Sequence, residues 1–167
     1  MDIKLEHSTI EDREHIKKLY QLYAHDLSEF VDVQLNSEGL FDDSVVDNYY
    51  SDGQLKPLKI KQQGRIVGFI FCSTGQTVDY VIQEFFILRN YRRQGLARQA
   101  LKQLLTLYEG TFGFVVLIKN KPAQLFWENI LKYYGINYTK DEMTADGELC
   151  FKYVMDNNKL SQSDEQK

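Results

Sequence analysis

Eight residues, Tyr91-Arg92-Arg93-Gln94-Gly95-Leu96-Ala97-Arg98, stand between an apolar run and a helical pattern and constrain the fold more than any others. Val78 to Leu88 before them reads as a strand, and Leu96 to Glu109 after them as a helix. A second apolar run, Phe112 to Ile118, completes a β-α-β unit, whose crossover must be right-handed and parallel. The turn therefore falls at the carboxyl end of a central strand, the edge on which open α/β sheets bind ligands. The first turn of a helix leaves backbone N–H groups without partners, and the aligned peptide dipoles add partial positive charge there. Gly95 removes the Cβ that would hold a ligand oxygen away, and Arg92, Arg93 and Arg98 add full charges. A phosphate or pyrophosphate suits such a turn. A solvated basic turn that happens to begin a helix is the other reading of the same eight residues.

The rest of the chain can be arranged around that unit. Residues 2–7 alternate polar and apolar as a half-buried strand does, and Ser8 or Thr9 with Glu11 and Asp12 can cap a helix running to about Phe30. Residues 31–56 are polar and acidic, with a short helix over Val45 to Tyr50. Pro57 to Lys61 and Arg65 to Ser73 read as strands around Gln62-Gln63-Gly64. Phe112 to Ile118 is nearly all apolar, as in a strand covered on both faces. Pro122 favours the first turn of a helix that continues to about Tyr134. Ile136 to Tyr138 and Leu149 to Met155 read as a closing pair of strands. The expected fold is α/β with a mixed sheet and helices on both faces, forming a single domain over residues 1–155. The polar tail, residues 156–167, is expected to be disordered.

Bulk properties narrow the class of partner. A net charge of −4 and a pI near 5.4 argue against nucleic acid. No stretch approaches 18 consecutive apolar residues, so no membrane span is expected. The first residues lack a basic start followed by an apolar core, which makes a cytoplasmic protein the expectation. Cys72 and Cys150 lie in apolar runs and read as reduced buried thiols. No Cys or His has a partner at ligand spacing, so no metal is expected.

Arg92-Arg93-Gln94-Gly95-Leu96-Ala97 resembles the Gln/Arg-x-x-Gly-x-Gly/Ala signature of the GCN5-related N-acetyltransferases. The preceding Glu84-Phe85-Phe86-Ile87-Leu88 and the following Asn120-Lys121-Pro122-Ala123-Gln124-Leu125-Phe126-Trp127 resemble the same family, most closely a bacterial subgroup of predicted acetyltransferases. The likeness extends over residues 2–155 and implies a central mixed sheet of six to seven strands flanked by about four helices. It implies acetyl-CoA as donor, with the pyrophosphate on the backbone amides from Arg93 to Ala97 (Arg93, Gln94, Gly95, Leu96, Ala97) and with Arg92 and Arg98 nearby. In that fold two central strands splay, and the pantetheine arm adds itself to the edge at Phe86, Ile87 and Leu88. Asn120 would bond the pantetheine, cap the next helix, or do both.

Acetyl transfer to an amine needs a base, a polarised thioester carbonyl and a protonated leaving thiol. An amine with a pKa of about 10.4 must lose its proton first. Glu84, a carboxylate in an apolar run, is the candidate base; a purely structural carboxylate is the alternative. A backbone N–H near Ile87 or Leu88 could polarise the carbonyl. The family's usual acid is a tyrosine seven residues after the Asn120 position, where this chain has Trp127. Either Tyr133 or Tyr134 replaces it, or solvent protonates the thiolate. Between Leu19 and Leu55 there are eight acids and no Lys or Arg, which suits a cationic amine; a solvated acidic face explains the run equally well. Asp26 and Tyr23 are the candidates for binding the ammonium group, by charge and cation–π contact; a simple amphipathic helix explains the same pattern without a ligand. The acceptor class is then a primary amine of a small cationic molecule or a peptide, which attacks the thioester directly in a ternary complex. A catalytically weak acyl-CoA-binding regulatory module is the alternative, and the resemblance leaves a homodimer open.

Overall fold

The computed structural model describes residues 2–157. Seven strands and four α-helices follow in the order β1 (Ile3–His7), α1 (Arg13–Leu27), α2 (Ser44–Ser51), β2 (Leu55–Gln62), β3 (Arg65–Thr74), β4 (Tyr80–Ile87), α3 (Leu96–Leu107), β5 (Thr111–Leu117), α4 (Lys121–Tyr133), β6 (Tyr138–Ala145) and β7 (Glu148–Asp156). Two 3-10 turns, Ile10–Asp12 and Arg89–Tyr91, precede α1 and follow β4. The strand order in the sheet is β1-β2-β3-β4-β5-β7-β6. The β4–β5 pair is parallel, while β1–β2, β2–β3, β5–β7 and β6–β7 are antiparallel. This is the mixed α/β sheet expected, at the upper end of the expected strand count.

The described residues form two compact units, 2–73 with Glu84–Ala100, and Thr74–Gln83 with 101–157. In the first, α1 and α2 bury Ile16, Leu19, Val46 and Tyr49 against Phe69, Phe71 and Phe86. The rings are in contact: Tyr49 stacks on Phe71 at 4.1 Å, and Phe69 lies 4.7 Å from Phe71 and 5.6 Å from Phe86. Gly68 is required here by close approach. A Cβ on it would stand 2.3 Å from the Phe86 carbonyl oxygen, so β3 and β4 could not keep their spacing with any other residue. The entry to α1 is fixed by Asp12, whose carboxylate accepts from the Thr9 backbone N–H at 2.9 Å and from Lys59 at 2.6 Å.

In the second unit Phe114 of β5 is sandwiched between Trp127 of α4 at 4.1 Å and Tyr153 of β7 at 4.9 Å. The Tyr153 hydroxyl donates to Glu128 at 3.0 Å, as does Lys140 at 2.8 Å. Gln124, buried on α4, donates to the carbonyls of Leu117 and Ile118 and ties the helix to the end of β5.

Three expectations are corrected. The penultimate strand is Tyr138–Ala145 rather than Ile136 to Tyr138. It is an edge strand with mostly exposed side chains, so its residues show no apolar alternation. Its partner β7 is reached through Asp146-Gly147, both in the left-handed region (φ 49° and 80°), as a primed hairpin turn requires. Helix α1 stops at Leu27, short of Phe30. The tail boundary also moves, because Asp156 is part of β7 and Asn157 is buried. Asn157 donates to the carbonyls of Leu105 and Tyr108 at 2.7 and 2.8 Å and accepts from the Gly110 N–H at 2.8 Å. The remainder of the expected tail, 158–167, lies outside the described residues. Cys72 and Cys150 are both free and buried, as expected. Among the described residues there is no cluster suited to a metal ion and no helix long and apolar enough to cross a membrane.

Candidate active site

In the first unit, Glu84 projects from β4 and is half-buried beside the aromatic core. The Tyr23 hydroxyl, carried by α1, donates a hydrogen bond to Glu84 Oε2. Burial raises the Glu84 carboxyl from 4.5 to about 7, and the Tyr23 hydrogen bond works the other way by favouring the charged form. Burial and the neighbouring carboxylate push the Tyr23 hydroxyl well above its ordinary range, so it remains a donor at any working pH. Two residues assigned separate roles from sequence, base and acceptor binder, are thus brought into one pair.

Beyond β4 the chain passes through the Arg89–Tyr91 turn into the basic loop. Arg93 and Gly95 both occupy the left-handed region, at φ 61° and 79°. Gly95 is needed for that conformation, whereas Arg93 holds it at a cost in strain. Alternation of this kind turns successive amides toward one point, the arrangement that accommodates an anion. The space beside Gly95 is open, since a Cβ there would meet only the Arg98 guanidinium at 3.5 Å. Helix α3 begins at Leu96, and Arg93, Gln94 and Arg98 are exposed around its start. These residues fit the pyrophosphate of a CoA-type ligand.

The strand end is less available than expected. The Leu88 N–H donates to the Val67 carbonyl at 3.0 Å, and the Ile87 carbonyl accepts from Arg92 Nε at 2.7 Å. The Arg92 guanidinium also lies 5.4 Å from the centre of the Phe86 ring. The Leu88 amide is therefore committed, and the Ile87 carbonyl already has one donor.

Asp26, the candidate ammonium binder, is engaged elsewhere. Its Oδ1 accepts from Arg89 Nε at 2.9 Å and Nη2 at 2.5 Å, and its Oδ2 from Arg92 Nη2 at 2.5 Å. The two guanidiniums outweigh partial burial and hold the carboxyl below its ordinary value. Arg89 was overlooked in the sequence although it extends the basic run by one helical turn. The acidic segment is likewise partly neutralised from just outside it, because Lys17 pairs with Asp43 at 3.4 Å and Asp47 at 2.8 Å.

In the second unit Asn120 is the N-cap of α4, its side-chain oxygen accepting from the Ala123 N–H at 3.0 Å. Trp127 is buried by its stack on Phe114 and has the place of a packing residue. Tyr133 and Tyr134 are edge-to-face at 5.0 Å at the far end of α4. The helix spans Lys121–Tyr133, so roughly 20 Å of its length separates them from the Asn120 end. The structure therefore places both tyrosines at the opposite end of α4 from Asn120.

A model of the acetyltransferase (GNAT) family matches residues 16–133. No curated protein sequence matches significantly. Among solved structures, an acetyltransferase from Thermus thermophilus is 20% identical with a TM-score of 0.68, over 92% of this chain and 96% of that one. A diaminobutyrate acetyltransferase from Paenibacillus lautus, solved with L-2,4-diaminobutyric acid and coenzyme A, is 16% identical with a TM-score of 0.61, over 93% and 95%. A ribosomal-protein alanine N-acetyltransferase from Escherichia coli is 16% identical with a TM-score of 0.64, over 93% and 94%. At these identities the structures establish the fold, and the family match, which covers most of α1, Glu84, the basic turn and α4, establishes the family. The chain belongs to the acetyltransferase (GNAT) family and is an acetyltransferase.

Proposed function

We propose that this enzyme transfers the acetyl group of acetyl-CoA to a primary amine of a small cationic molecule or a peptide, by direct attack in a ternary complex. Acetyl-CoA supplies an activated acetyl group as a thioester. The residues Arg93 to Ala97 hold its pyrophosphate, with Arg98 beside them and Arg92 drawn from its present contacts. The Asn120 side-chain NH2 is the donor left for the pantetheine once its oxygen caps α4. With the Leu88 N–H committed to Val67, polarisation of the thioester carbonyl falls to the Ile87 N–H.

The observation that carries the reading is Glu84: a half-buried carboxylate at about 7, on the strand that leads into the cofactor turn. A base with that value is ionised enough at neutral pH to take a proton and basic enough to want it. The amine loses its proton to Glu84, directly or through a water, as the nitrogen forms its bond to the acetyl carbon. The carbon–sulfur bond breaks, and the thiolate takes a proton from solvent, since a thiol with a pKa of about 8.5 is a good enough leaving group without a dedicated acid. Diaminobutyric acid, the ligand named for the Paenibacillus neighbour, is a diamine and agrees with the acceptor class.

The test is release of free thiol from acetyl-CoA against polyamines, aminoglycosides, amino acids and lysine-ended peptides. Turnover with one of these is expected, and Glu84→Gln is expected to lower kcat/KM by about 100-fold or more at pH 7. Undiminished turnover in Glu84→Gln would remove it as the base. Silence across the panel would remove the acceptor class.

A further inference from the structure

We propose that Tyr23 is a positioning residue, a rigid donor that fixes the Glu84 carboxylate for proton transfer. The proposal rests on the reading of Glu84 as the base. Tyr23 and Glu84 are 61 residues apart in the chain, so the contact is made only when α1 packs across β4.

A glutamate has three side-chain torsions to order, and its carboxylate would otherwise sample several orientations. The Tyr23 ring cannot wander. It is wedged 5.5 Å from Tyr20, 6.0 Å edge-on from Phe69 and 6.0 Å edge-on from Phe86. A phenol oxygen moves only with its ring, so three ring contacts fix the point in space to which Glu84 Oε2 is bonded. The other oxygen, Oε1, is left to face the amine or its water.

The same bond sets when the base is ready. A donor to the charged form favours ionisation and opposes the burial that raises Glu84. The other titratable groups coupled to Glu84 are Tyr20 of α1 and Tyr49 of α2, whose own hydroxyls are raised by burial and stay neutral. Among the described residues, no cation from α1, α2 or β3 acts on the carboxylate. The Tyr23 hydroxyl is thus, among the described residues, the side-chain donor that favours the charged form of Glu84.

The full-length protein with side-chain-labelled glutamate allows the Glu84 carboxyl carbon to be titrated by NMR, with Glu84→Gln identifying the signal. Tyr23→Phe keeps the ring and its three contacts while removing the donor. The Glu84 midpoint is expected to rise by about one pH unit, and with the amine found active the acid limb of kcat/KM should move up equally. A difluorotyrosine at position 23, a stronger donor, should shift both downward and serves if the phenylalanine variant does not fold. Unmoved midpoints in these variants would overturn the proposal, as would a loss of rate equal at every pH, which marks a merely structural residue. Full activity of Glu84→Gln would instead overturn the base assignment, whatever the Tyr23 variants do to the midpoint.

Discussion

Two carboxylates of the first unit, Glu84 and Asp26, begin from nearly the same chemistry and are sent in opposite directions. Glu84 sits on a strand among rings, takes one hydrogen bond from a neutral phenol, and is raised to about 7. Asp26 sits at the end of α1, grips two guanidiniums, and is lowered. A buried carboxylate without a cation is costly to ionise and is therefore available as a base, whereas a carboxylate with two cations is fixed and available only as a tie. The environment, more than the residue type, separates the two roles.

The comparison can be broken most sharply through stability. A carboxyl raised from 4.5 to about 7 penalises the folded state at every pH above that range, and the penalty fades as pH falls toward 4.5. Glu84→Gln should therefore make the protein more stable at pH 8, by about 2 kcal/mol once partial exposure is allowed for, and no more stable at pH 4. Thermal melts at the two values measure this; equal gains at both would mean that ionisation of Glu84 carries no penalty. Such a variant would be more stable and nearly inactive, a trade common at catalytic sites.

Asp26→Asn should act with the opposite sign and a smaller size. A lowered carboxyl adds stability above its unfolded value of 3.8 and loses it as pH falls through its folded value, so the variant should melt lower at pH 7 and converge on the parent only below pH 3.8. Its deficit should also shrink in 0.5 M salt, because the pairs are solvent-facing, while the Glu84 effect should hardly respond. A salt-independent deficit would mean that packing, not charge, makes Asp26 matter. Least of all should change in Tyr133→Phe and Tyr134→Phe, for which kcat is expected to stay within about twofold. A large loss in either would return them to the role of acid.

What could be read from the sequence was local. The strand, basic turn and helix from Val78 to Glu109 were visible because a period of two gives way to a period of 3.6 across a glycine. Asn120 and Pro122 announced α4 through capping chemistry. The replacement of the family's tyrosine by Trp127 was also visible, and the stack on Phe114 accounts for it. The unread contacts are those made by tertiary register. Nothing in the spacing of Tyr23 and Glu84, or of Asp26 and Arg89, says that α1 lies across β4 so as to match them. An isolated Asp26 among aromatics looked like an ammonium site because its arginines were 63 and 66 residues away. Strand β6 escaped for a different reason, since an edge exposed on both faces carries no periodicity, although Asp146-Gly147 was a turn signal that could have located it.

The three side-chain hydrogen bonds of Asn157 have a consequence for how the second unit opens. Its amide closes the carbonyls left over at the end of α3 and its oxygen holds the Gly110 N–H that leads into β5. One side chain just past β7 thereby belts the exit of a helix whose own residues are far upstream. In hydrogen exchange the Gly110 amide should behave as part of β7's cooperative unit rather than as a loop. A chain trimmed after Asp156 would bare four polar groups at once, unlatching the end of α3 and leaving the loop into β5 as the point where a protease first finds the backbone.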